Sequence, residues 1–111
     1  MKRLIFSLLV TLTCLAQTSS MYSIPDITGT GATVALTPGV HTLARWVDVS
    51  ALSTNASLVR FGDATVNVNQ GTPIYPGGNN HLQPGGPQYD LSQIYVFIAS
   101  GDKVAVTWQN Y

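Results

Sequence analysis

The sequence predicts an all-β fold, a small antiparallel β-sandwich or barrel with jelly-roll-like or Greek-key connections, and three observations carry that prediction. Short runs rich in Val, Ile, Thr and aromatic residues recur at spacings of roughly 8 to 12 residues, punctuated by Gly, Pro and Asn clusters. Beyond residue 20 no stretch shows the apolar period of an amphipathic helix. Glu, a usual former of exposed helix surface, is absent from the chain. At 111 residues there is room for one domain.

Taken in order, residues 1–20 read as a signal-peptide-like leader or an upstream extension. Met1-Lys2-Arg3 is a short basic start, and the apolar run from Leu4 to Leu15 is about 12 residues long, short of the roughly 20 that cross a bilayer as a helix. No lasting membrane anchor is expected. Cys14 lies near a lipoprotein cleavage pattern, but Thr13 is bulkier than the residue such a site takes. Two readings follow: an exported protein whose leader is removed, or a protein whose translation starts at Met21.

Residues 21–31 read as a flexible N-terminal arm, because Ile24-Pro25 forces an extended step and residues 28–31 are small. The β-sandwich domain is expected over residues 32–111. Residues 32–36 form a short strand closed by the Thr37-Pro38-Gly39 turn. Residues 40–49 form the longest alternating strand, with Arg45 marking an edge or a bend. Residues 58–61 make the next strand, and Gly62-Asp63 turns it into residues 65–69, with Val66 and Val68 facing inwards. Pro73 confines residues 71–75 to an edge or a strand start. Residues 76–87 hold Pro-Gly-Gly, Asn-Asn and a second Pro-Gly-Gly, and read as a surface loop. Finally, residues 94–98 and 104–108 read as a β-hairpin about Ala99-Ser100-Gly101-Asp102, with Gly101 supplying the positive φ. Ile94, Val96, Ile98, Val104, Val106 and Trp108 are its core face. Asp90 is expected to form an Asx turn that starts this hairpin.

Composition excludes several functions. Past residue 20, Arg45, Arg60 and Lys103 stand against five Asp residues, a net charge of −2, so there is no basic patch for nucleic acid phosphates. The single cysteine, Cys14, precedes the body, which has neither a disulfide framework nor thiol chemistry. His41 and His81 lie in no metal-ligand spacing, no Ser lies in a Gly-x-Ser-x-Gly elbow, and the Gly pairs lack a phosphate loop's Lys. No catalytic residue, metal or cofactor is expected. Asn55-Ala56-Ser57 matches an N-glycosylation acceptor.

Val59-Arg60-Phe61-Gly62-Asp63, Gly71-Thr72-Pro73-Ile74, Pro76-Gly77-Gly78, Tyr89-Asp90-Leu91-Ser92-Gln93-Ile94-Tyr95-Val96 and Gly101-Asp102-Lys103-Val104, in this order, resemble small structural proteins of tailed-bacteriophage virions. The resemblance spans roughly residues 44–108. It implies a virion accessory role, as a head decoration, cement or fibre-associated protein assembled in the host cytoplasm. The partners would be the capsid lattice and copies of the chain itself. Tyr75, Asn79, Asn80, Tyr89 and Tyr95 are the candidate contact residues, since Tyr joins apolar area to a polar tip. The rival expectation, which the leader favours, is an exported carbohydrate- or surface-binding sandwich, periplasmic or extracellular, using Trp46, Tyr75, Asn79 and Asn80 as a platform.

Overall fold

In Trp46–Ala51 every second side chain is buried: Val47, Val49 and Ala51 turn inwards, whereas Trp46, Asp48 and Ser50 point the other way. The computed structural model describes residues 20–83 and 88–110. Its strands are β1 (Met21–Thr28), β2 (Thr33–Ala35), β3 (Leu43–Ala44), β4 (Trp46–Ala51), β5 (Val59–Gly62), β6 (Thr72–Ile74), β7 (Asn79–Leu82), β8 (Tyr89–Asp90), β9 (Tyr95–Phe97) and β10 (Lys103–Gln109), with one 3-10 turn at Leu91–Gln93. One sheet has the order β1-β10-β4-β7 and the other β2-β9-β5-β6; β3 and β8 pair separately, and every pairing is antiparallel. The chain changes sheet directly at β1→β2, β4→β5, β6→β7 and β9→β10, and by way of β3 and β8 at β2→β4 and β7→β9, which is the strand order of a jelly roll. The core between the sheets joins Val47, Val49, Val104 and Val106 of the first to Val59, Phe61, Ile74 and Val96 of the second. Leu36, Ala44, Ala51, Leu91 and Ile98 complete it.

The registers give the sandwich two unlike ends. Thr28 pairs with Lys103, Ala51 with Val104 and Val59 with Ile74, so the four direct changes of sheet lie at one end, the crossing end. Met21 and Trp46 both pair with Gln109, and Leu43 with Asp90, at the opposite end, the loop end.

Several expectations are corrected. Residues 94–98 and 104–108 do not form a hairpin: β9 pairs with β2 and β5, while β10 pairs with β1 and β4 in the other sheet. The buried faces are as expected in Val96, Ile98, Val104 and Val106, but they meet across the core instead of lying side by side. Alternation fixes which face of a strand is buried and leaves open which strand supplies its hydrogen bonds. Residues 21–28, expected as part of a flexible arm, are the edge strand β1, and its register shifts between Ile24 and Ile27, which places Pro25 in a bulge. The long strand expected over 40–49 breaks at Arg45, where the chain bends and the buried parity changes from Ala44 to Val47.

Residues 65–69 are not a strand. Val66 is buried, outside the main core, with its carbonyl accepting from Thr33 Oγ1, while Val68 is 60 % exposed. Arg60 holds this loop by donating to the carbonyls of Val68 and Gly71. Within the expected loop 76–87, Asn79–Leu82 is a strand along β4; the Pro-Gly-Gly-Pro stretch at 84–87 lies outside the described residues, as do residues 1–19 of the leader or extension expected over 1–20. Pro73 lies in β6, at a sheet edge.

Candidate functional site

At the crossing end, polar groups are consumed in holding the fold. Asp102 is buried, and its carboxylate oxygens accept from the N–H groups of Ala56 (2.9 Å) and Ser57 (3.0 Å), tying the β9→β10 turn to the β4→β5 loop. The Asn55 side chain donates to the Lys103 carbonyl and accepts from the Lys103 N–H, both at 2.8 Å, in the manner of a strand partner. Its amide is therefore engaged in both directions, which assigns the acceptor triplet a structural role. Gly101 has φ +88° and donates to the Gly29 carbonyl; Gly29 donates to the Asp102 carbonyl. A Cβ on Gly29 would come within 2.3 Å of the Ala99 carbonyl oxygen, so only glycine fits this crossing.

The loop end carries the groups that face outwards. Asp90 accepts from the N–H groups of Thr42 (3.2 Å) and Ser92 (3.0 Å) and from the Ser92 hydroxyl (2.8 Å), and its other oxygen lies 2.7 Å from His41 Nδ1. His41 first, then Ser92 and the backbone N–H groups, hold the Asp90 carboxyl far below the usual carboxylate range. The expected Asx turn thus caps the 3-10 turn at Leu91–Gln93 and fastens β8 to the segment before β3. Asp90, His41 and Ser92 do not form a nucleophile relay. Ser92 Oγ lies 3.4 Å from the same Nδ1 that Asp90 contacts, whereas a relay needs serine and carboxylate on opposite ring nitrogens. Ser92 is also buried.

Beside this clasp, on the outer face of the first sheet, the indole N–H of Trp46 donates to Gln109 Oε1 at 2.6 Å, and the Trp46 ring lies 4.9 Å from the His81 ring, tilted by 38°. His81 Nδ1 is 3.4 Å from Asp48 Oδ1, which also accepts from Asn79 Nδ2 at 2.8 Å, and Ser50 Oγ donates to Asp48 Oδ2 at 3.1 Å. A shallow depression of about 550 Å³ opens here, lined by Arg45, Trp46, His81, Gln83 and Gln109. A second, apolar cleft of about 210 Å³ lies along the β1–β2 margin between Ile27, Val34, Pro38 and Ile98.

The five candidate contact residues are not brought into one patch. Tyr75 is 66 % exposed near the crossing end, where Asn79 engages Asp48; Asn80, paired with Val49, is half-buried. Tyr89 spends its hydroxyl on the Gln83 carbonyl, at 2.6 Å, and Tyr95 is half-buried opposite Gly62 in the other sheet. Of the rival platform, Trp46 and Asn79 share the outer face of the first sheet, while Tyr75 and Asn80 do not line the depression. Sequence reasoning missed His81, Gln83 and Gln109 beside Trp46, because nothing local shows that β7 and β10 flank β4. It also missed His41 as the partner of Asp90, since the two are 49 residues apart.

Among the described residues no group of three or more His, Cys, Asp or Glu could hold a metal ion, and no helix is long and apolar enough to cross a membrane. Compared with protein-family models, curated proteins and solved structures, the chain has no match.

Proposed function

We propose that this chain is a non-enzymatic structural protein of a bacteriophage virion, a capsid decoration, cement or fibre-associated module that acts through contacts with the capsid lattice and with its own copies. The observation that carries the reading is the placement of exposed apolar side chains. Met21 (64 %), Tyr22 (43 %), Val40 (61 %) and Leu43 (55 %) lie at the loop end, against Tyr75 alone near the crossing end and Val68 on the 65–69 loop, and the crossing end is tied by its own hydrogen bonds. Exposed apolar groups gathered at one end of a sandwich support a protein contact there. Edge strands β1 and β7 of the first sheet and β2 and β6 of the second add unpaired backbone groups for lateral association. Jelly rolls recur in capsid proteins, which supports the reading by analogy of fold alone.

Mass spectrometry of density-purified particles, from cultures in which the gene is expressed beside its native neighbours, tests it. Peptides of this chain at a fixed ratio to the major capsid protein are the expected result. Recovery of the chain only from the particle-free fraction would overturn the proposal.

A further inference from the structure

The depression about Trp46 has a composition suited to one class of ligand. The indole is held by its bond to Gln109 and flanked by the His81 ring, so a flat aromatic group is fixed in orientation before anything binds. Around it stand planar polar groups, the amides of Gln83 and Gln109, the imidazole of His81 and the guanidinium of Arg45. Asp48, behind His81, accepts from both Asn79 and Ser50, which fixes the floor of the sheet face.

Each alternative ligand fails on a different count. An apolar peptide or lipid would strip water from the Gln83 and Gln109 amides without replacing its hydrogen bonds. A phosphate or nucleic acid calls for several cations, and the lining supplies Arg45 alone, with the Asp48 carboxylate close by. A sugar ring fits both features: its C–H face lies on the indole, and its vicinal hydroxyls donate to amide oxygens and accept from amide N–H groups of the glutamines.

We infer that the Trp46 depression is a binding site for a neutral saccharide. The inference is independent of the virion reading, since a particle-borne and an exported protein would use the site alike. A shallow site binds weakly as a single copy, and repeated copies on one assembly would multiply its hold.

The test is a titration of the full chain, observed by ¹H–¹⁵N NMR, with neutral oligosaccharides of glucose, mannose, galactose and N-acetylglucosamine, beside a sialylated oligosaccharide and inorganic phosphate. The expected result is saturable displacement of the Trp46 indole N–H signal by at least one neutral oligosaccharide, with the Trp108 indole signal unmoved. Trp46→Ala and Gln83→Ala should each weaken that binding at least tenfold, and Val68→Ser, on the far loop, should leave it unchanged. Gln83 keeps the test sound if Trp46→Ala disturbs the sheet. The inference is overturned if no neutral oligosaccharide saturates, if only the sialylated sugar or phosphate does, or if both variants bind as the parent does. Binding to sugar by a chain absent from particles would leave this inference standing and remove the virion reading.

Discussion

The two ends of the sandwich use similar residue types for opposite purposes. At the crossing end Asp102, Asn55 and Gly29 are turned onto backbone groups of neighbouring crossings, so the polar atoms there have partners within the chain. At the loop end Asp90 clasps Thr42, Ser92 and His41, Trp46 bonds to Gln109 and Tyr89 to the Gln83 carbonyl, while Met21, Val40 and Leu43 are exposed and Tyr22 lies stacked on Trp108 at 4.6 Å. Four strand crossings locked together make a rigid base, which leaves the other end free to vary in chemistry without loss of the fold.

Substitutions at the two ends should therefore separate stability from association. The largest effect is expected for Gly29→Ala. Its new methyl group meets two backbone carbonyls and Ile98, and urea denaturation should show a loss of about 3 kcal/mol or failure to fold. Asp102→Ala comes next, at about 2 to 3 kcal/mol by the same measurement, because two N–H groups lose a charged acceptor. Asn55→Ala, which removes one donor and one acceptor facing Lys103, should cost about 1 to 2 kcal/mol.

The fold was legible where side-chain alternation alone decides it. Val96, Ile98, Val104 and Val106 could each be assigned to an inward face from neighbours two residues away. Pairing was not legible, because the bonds of β9 and β10 are made with strands far away in the chain, as between Met21 of β1 and Gln109 of β10. Strand β7 was hidden by its composition: Asn79, Asn80 and His81 are poor strand formers, and their place is set by the exposed edge of β4. In the candidate site the same limit applies. Trp46 was visible as an outward aromatic, while its companions arrive from β7 and β10. Asp90 was legible as a turn because its nearest bonds, to Ser92, are local.

That clasp gives a smaller, pH-dependent effect. The folded Asp90 carboxyl titrates well below its unfolded value, so the stability it adds is present above about pH 4 and is lost as the pH falls toward its folded value. Melting temperature measured between pH 2 and pH 7 should accordingly fall less steeply on acidification in Asp90→Asn than in the parent, with a loss of a few degrees at neutral pH. An unchanged slope would remove the clasp from the account. The smallest effect on stability belongs to Leu43→Ser, which should alter unfolding by less than about 0.5 kcal/mol while reducing the fraction of chain that sediments with particles.

The contrast between a closed base and an exposed working end is tested most directly by hydroxyl-radical footprinting of the chain, free and on intact particles. The account predicts strong protection of Met21, Tyr22 and Leu43 on the particle, with Tyr75 near the crossing end as reactive as in the free protein. Protection confined to Tyr75 and its neighbours, or a footprint identical in the two states, would contradict it.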